Sequence, residues 1–390
     1  DQSSTNSAAS AMEHYISTGW RVFDNAPIVP LENFNTVLYP GTGTSGGDIQ
    51  NVTGVGFSPG LTWVKNRSLA LNHYLYDSIR GTGAAKALHS NTADSEASGS
   101  LYSDNGGISS FSLDGFGAYR GSDNTYQGTN MNGENYVSWN WKAPDAFSHS
   151  ASGSGSGSTL ASTGKSNVPA GFSIVNFTVP AASGTGQSRK IKHNLGGIPE
   201  LIIYKTLNSP QNTYWFVYSS IIGKDLELFL NIDAGTGTSG TRWNNTTPDA
   251  TTFDIGAAIL DYTGGGTGTD YYAGSSIAYC WKSIPGYSKI GSYPGTGVNG
   301  NRIYIDSNGD GTGTGAFQPR FLLVKRSNAA DNWVIVDSTR GSSESLFPDL
   351  SSQELNNSGA AIFNSDGFTV NGASGGWNNG TSTYIYLAIA

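Results

Sequence analysis

The most ligand-like pattern in the chain is Asp306-Ser-Asn308-Gly-Asp310-Gly311, with oxygen-bearing side chains at alternate positions ahead of a glycine. Oxygens so spaced can wrap a hard cation such as calcium, as the first half of an EF-hand loop does. The bidentate glutamate such a loop carries at its twelfth position is absent, and Phe317 stands there instead. Two readings follow: a calcium site at Asp306, Asn308 and Asp310, or a plain turn. The missing ligand favours the turn. Catalytic chemistry has less to work with. The five histidines, His14, His73, His89, His149 and His193, show no H-E-x-x-H spacing. Cys280 lies between Tyr279 and Trp281 and reads as an inert core thiol. Asp77 with Arg80, and Asp337 with Arg340, recur as D-S-x-R-G. They have acid–base character, but a buried ion pair that fixes a turn is the simpler expectation. No catalytic residue and no bound cofactor is expected, calcium apart.

Three G-x-G-x-x-G matches begin at Gly41, Gly235 and Gly295. A dinucleotide site needs a helix directly after that loop, so that the helix N-terminus meets the pyrophosphate. No helical periodicity follows any of them, so they read as hairpin loops. Trp243 and Trp377 lie in polar, glycine-rich stretches. Placed on loops, they could stack on sugar rings; placed inward, they are core.

Positioning these residues is a task for strands. Apolar runs of five to eight residues, rich in Val, Ile, Tyr, Trp and Phe, are bounded by Gly, Asn, Asp and Ser, which is the strand-and-turn signature. Only residues 7–15 and 84–88 read as short helices. Asp114-Gly115 and Asp366-Gly367 sit between phenylalanines, where Asp-Gly supplies the positive φ of a tight hairpin.

The runs repeat three times. An aromatic strand (FNTVLY, FSIVNF, YSKIGSY) precedes a proline that stands six residues before a lysine: Pro59 and Lys65, Pro199 and Lys205, Pro319 and Lys325. The closing strands are YVSWNWK, SIAYCWK and YIYLAIA. The first and third copies share D-S-x-R-G and F-x-x-D-G-F, and the second lacks both. The expected fold is all-β: three tandem β-sandwich modules, jelly-roll or lectin-like, at residues 34–145, 171–285 and 286–390. Residues 146–170, which include SGSGSGS, read as a flexible Gly/Ser linker. Residues 1–33 fall outside the repeat. Their Tyr15, Ile16, Trp20, Val22 and Phe23 form an apolar arm that either packs on its own module or adds as a strand to a neighbouring copy.

Composition narrows the function class. The 390 residues include 53 Gly, about twice the usual ~7%, and only 13% charged residues, about half the usual share. A net charge of −8 disfavours nucleic acid and anionic membranes as partners. One cysteine gives no disulfide framework, and no apolar run is long enough for a membrane-spanning helix. Such a surface suits a virion or extracellular protein.

The blocks GF-x-P-x-L-x-W-V-K-N-R, D-S-I-R-G, S-F-x-x-D-G-F and NGENYVSWNWKAP resemble a repeated module of unknown function found in virion and tail-fibre-like proteins of environmental, chiefly aquatic, tailed phages. That resemblance spans residues 34–390. It implies a lectin-like or jelly-roll sandwich with a structural role at a particle surface, and it supplies no catalytic residues. The expected function is non-enzymatic: self-assembly of identical copies into a virion appendage or filament. The alternative is an adhesin or tail-fibre module that recognises a host glycan.

Overall fold

The structure is a computed structural model. It describes residues 28–96, 104–124, 127–181, 186–208, 213–238, 240–260, 272–356, 361–372 and 375–390. The arm residues Tyr15, Ile16, Trp20, Val22 and Phe23 lie outside the described residues, as does the short helix expected over 7–15.

In the first segment, β1 (Phe34–Pro40), β3 (Pro59–Asn66), β4 (Tyr74–Asp77) and β7 (Asn135–Lys142) form a four-stranded antiparallel sheet in the order β1-β7-β3-β4. A smaller sheet of β2 (Ile49–Val52), β5 (Gly107–Ser112) and β6 (Gly115–Tyr119), in the order β2-β6-β5, covers one face. The third segment repeats this plan. Its large sheet contains β19 (Ser288–Pro294), β21 (Phe321–Arg326), β22 (Val334–Asp337), β23 (Gly341–Leu346), β24 (Leu355–Asn356) and β27 (Thr383–Ile389), in the order β19-β27-β21-β22-β23-β24. Its small sheet runs β20 (Asn301–Tyr304), β26 (Gly367–Val370), β25 (Ala361–Asn364).

The second segment extends the plan at one side. It contains β8 (Asp145–His149), β9 (Ser158–Leu160), β10 (Ser162–Asn167), β11 (Phe172–Val179), β12 (Arg189–Lys192), β13 (Leu201–Thr206), β14 (Phe216–Ser219), β15 (Leu226–Phe229), β16 (Gly237–Thr238), β17 (Thr252–Ile255) and β18 (Gly274–Trp281). The large sheet has the order β16-β15-β14-β13-β18-β11-β10-β8, and the small one β17-β12-β9. The stretch expected as a flexible linker, residues 146–170, is therefore corrected: it carries β9, β10 and most of β8. Ser and Gly serve hairpin turns as well as linkers. Gly153, Gly155 and Gly157 all take positive φ, and Ser152 and Thr159 exchange backbone hydrogen bonds at 3.0 and 2.9 Å. Of the expected helix at 84–88, a 3-10 turn over Ala84–Lys86 is present.

The large sheets are buried on both faces, and a period of two sorts their side chains. Along β27, Tyr384, Tyr386 and Ala388 face the third segment's own core, while Ile385, Leu387 and Ile389 face a second core. Val137, Trp139 and Trp141 of β7 and Ile277, Tyr279 and Trp281 of β18 join that same second core. The three large sheets thus share one central core. At its centre Trp141 packs against Phe321 of the third segment at 5.7 Å and Trp281 of the second at 6.1 Å, both edge-on. Such aromatic pairs are worth about 0.5–1.5 kcal/mol beyond their buried area.

Candidate functional site: the seams between segments

Each seam is built from equivalent positions. The residue just before β4, β14 and β22 is His73, Trp215 and Trp333 in turn. Trp215 donates its indole N–H to the His89 carbonyl of the first segment at 2.9 Å. Trp333 donates to the Phe229 carbonyl of the second at 2.7 Å. His73 closes the cycle against the Phe347 carbonyl of the third at 2.9 Å. Its Nδ1 accepts the Trp63 indole N–H at 2.9 Å, so its own proton is on Nε2 and points at Phe347. Burial and the nearby Lys65 hold His73 neutral by lowering its pKa well below the ordinary value.

A second cycle is made of backbone. Glu96 N–H bonds Leu207 O at 2.6 Å, Thr236 N–H bonds Ser327 O at 2.6 Å, and Glu354 N–H bonds Arg67 O at 3.0 Å. First to second, second to third, third to first: both cycles close at three, so the segments behave as a closed head-to-tail ring within one chain.

The lysines at the last position but one of β3, β13 and β21 are all buried. Lys205 donates to Ala93 O of the first segment at 2.8 Å, and Lys325 to Asp233 O of the second at 2.9 Å. Lys65 instead caps its own loop through Asn66 O and Leu69 O. Burial lowers Lys65 and Lys205 to about 7 and Lys325 to about 8.

The D-S-x-R-G motif belongs to the seams. Asp77 Oδ1 accepts the N–H groups of Ile79 and Arg80 at 3.0 and 2.9 Å, and Arg80 Nε bonds Oδ2 at 2.5 Å. Asp337 and Arg340 repeat the arrangement, at 3.1 and 2.9 Å to the N–H groups of Thr339 and Arg340 and 2.5 Å to Nε. Burial opposes the Arg80 cation, but the charges around it, Asp77 foremost, raise its pKa overall. Each arginine also reaches a glutamate, Glu96 at 3.1 Å and Glu354 at 2.9 Å. Each aspartate then takes a donor from the next segment. Tyr279 O–H bonds Asp77 Oδ2 at 2.8 Å, and Trp139 Nε1–H bonds Asp337 Oδ2 at 3.0 Å. Glu354 further receives Arg67 of the first segment at 2.6 Å.

The third seam has lost the whole set. Ser219 stands in place of the aspartate, Ile222 of the arginine, Thr236 of the glutamate and Leu387 of the Trp139/Tyr279 donor. A lone charge left among apolar neighbours would be costly, so the members of the set are retained or lost together.

The remaining sequence-derived residues have structural places. Asp306 Oδ1 accepts the Asn308 N–H at 3.1 Å and the Gly309 N–H, and Oδ2 accepts the Gly313 N–H at 2.8 Å. Asp310 and Asn308 both turn to Thr312. N–H donors take up the Asp306 oxygens, so the loop is organised as a turn. Trp243, 1% exposed, packs edge-on against Tyr218, and Trp377, 6% exposed, belongs to the third segment's core. Neither presents a ring face for a sugar, so of the two readings the core one holds for both and the sugar-stacking one does not. The Gly41 and Gly295 loops lead into strands, and Asn130 and Asn378 accept their N–H groups. Cys280 is fully buried among core residues, and its thiol pKa is raised by burial. Among the described residues, no helix is long and apolar enough to cross a membrane.

Sequence reasoning placed the Asp–Arg pairs but missed Glu96, Glu354, Tyr279 and Trp139 as their partners. The signal was available in the alignment of the copies: the second copy lacks the aspartate and arginine, and the third lacks the aromatic donor, at the two sides of one seam.

No curated protein matches the chain, and neither does any solved structure. One family does, and it takes all three segments as a single unit: residues 29–390 match a domain of unknown function, DUF7483, and the chain belongs to that family.

Proposed function

We propose that this is a non-enzymatic structural protein whose identical copies associate into a virion appendage or extracellular filament. The observation that carries the reading is the use made of its charged residues. The carboxylates and guanidiniums of D-S-x-R-G, the groups best suited by type to acid–base work, are buried and paired with each other, and the carboxylates are bonded across segment boundaries. Rigidity is what such joints supply. The sparse surface charge and the resemblance to repeated modules of phage virion and tail-fibre-like proteins support a place at a particle surface. The association of copies would run through the apolar arm, residues 1–33, since the ring of segments already buries one face of each large sheet.

Sedimentation velocity of the full chain over a wide concentration range tests this. Growth of the sedimenting species with concentration is expected. A single-chain species at every concentration, together with binding to a glycan panel, would replace the proposal with carbohydrate recognition.

A further inference from the structure

We infer that the open side of the third segment, the edge of β19 with the cleft between β19 and β20, accepts a β-strand from a second copy of this chain, formed by residues 15–23. This rests on the self-assembly reading above and names its acceptor.

The molecule contains its own precedent. In the second segment, β10 and β8 extend the large sheet beyond β11, and β9 adds in parallel to β12 of the small sheet. β10 spans the mouth between the two sheets: it pairs with β11 from Ser162↔Phe177 to Asn167↔Phe172, and Ser162 Oγ donates to Lys192 O of β12 at 2.9 Å.

Nothing equivalent precedes β19, because β18 ends at Trp281 and β19 begins at Ser288. Among the described strands β19 pairs with β27 alone; Ile284 O and Ser283 Oγ take up the outward N–H groups of Ser288 and Ile290, which leaves the edge open from Gly291 to Pro294. On its other side lie two adjoining clefts of about 310 and 300 Å³, which share Lys289, Asp306 and Ser307 and follow β19 from Ser288 to Pro294. An unpaired edge beside an unfilled cleft is the geometry that strand addition uses.

The sequence indicates the occupant. β10 enters its narrow slot on small residues, Ser162-Thr163-Gly164, and a Cβ on Gly164 would meet Ile174 O at 2.0 Å. Ser-Thr-Gly occurs once more in the chain, at residues 17–19, inside the apolar arm and ahead of Trp20, Val22 and Phe23. Both tripeptides also precede the strand that pairs with the closing strand of their segment, β11 beside β18 and β1 beside β7. The register of β10 on β11 pairs Thr163 with Asn176. Asn176 and Ser292 stand opposite Ile277 and Ile385, which are equivalent positions, so the same register sets Thr18 opposite Ser292.

The test uses full-length chains. One preparation carries Thr18→Cys, another, differently tagged, carries Ser292→Cys, and the two are mixed under mild oxidation. Directly opposite strand residues are within reach of a disulfide, and Cys280 is buried and stays silent. A disulfide joining the two tags is expected. Joining instead to Leu38→Cys, the equivalent position on β1, would overturn the β19 acceptor and leave arm-mediated assembly standing. An intrachain disulfide at high dilution in the double variant, without cross-linking between tags, would overturn the second copy as donor. No disulfide at either position while sedimentation still shows association would overturn the arm as connector. No association at all would overturn the self-assembly reading itself.

Discussion

Trp139 donates its indole N–H to Asp337, a residue 198 positions away in another segment, at 3.0 Å, and its ring lies 5.3 Å from the guanidinium of Arg340, which pairs with the same carboxylate. One side chain thus satisfies a carboxylate and covers its counter-ion. Trp139→Phe keeps the packing and removes the donor. It should cost about 1–3 kcal/mol, the usual consequence of leaving a buried polar group under-satisfied. In a double-mutant cycle with Asp337→Asn, denaturant unfolding should give a coupling of about 1–3 kcal/mol; additivity within ~0.5 kcal/mol would remove the contact from the energetics.

The seam that lacks the charged set offers the converse experiment. Ser219→Asp places a carboxylate where no arginine or aromatic donor waits. It should destabilise by about 3 kcal/mol or more, as an unpaired buried charge does. Adding Ile222→Arg should recover most of that loss, because it recreates the pairing seen at Asp77 and Arg80. Equal stability of the single and double variants would show that this seam does not follow the geometry of the other two.

Lys205 links stability to pH. Its folded pKa is lowered by burial to about 7 from an ordinary 10.5. Between those values the unfolded chain binds one proton more than the folded one, so this group's contribution to stability rises as pH climbs through the window and is flat below it. The slope is about 1.4 kcal/mol per pH unit. Lys205→Met abolishes the titration. The stability difference between wild type and variant should therefore grow in favour of wild type by about 1.4 kcal/mol between pH 8 and 9. A difference independent of pH would contradict a neutral buried amine.

The Asp-Gly turns should tolerate no side chain at glycine. Gly115 and Gly367 have φ of +149° and +151°, and an added Cβ would meet Val52 O at 2.0 Å and Ile303 O at 2.1 Å. Gly115→Ala and Gly367→Ala should each lower stability by about 1–3 kcal/mol, the scale of a strained backbone position, read as a fall in Tm. An unchanged Tm would mean the hairpins relax.

Strands, repeats and Asp-Gly hairpins were legible in the sequence because they rest on local rules: period-two alternation and the φ that only glycine takes freely. The Asp77–Arg80 pair was legible because the two residues are three apart on one turn. The shared core was not read, although its signal was present. YVSWNWK, SIAYCWK and YIYLAIA carry apolar residues on both faces, the mark of a strand buried on two sides. The Ser/Gly run at 152–158 misled because turns and linkers draw on the same residues, and only the bonds between Ser152 and Thr159 tell them apart. Trp243 and Trp377 left two readings open for a related reason. Their polar, glycine-rich surroundings suggest a surface loop, yet each is drawn into a core that distant strands complete.

Ordered assembly of identical copies is best checked by electron microscopy of the purified protein with its N-terminal residues intact. Regular polymers or particles with a repeating unit the size of one three-segment ring are expected. A field of uniform, separate single chains at all concentrations would contradict it.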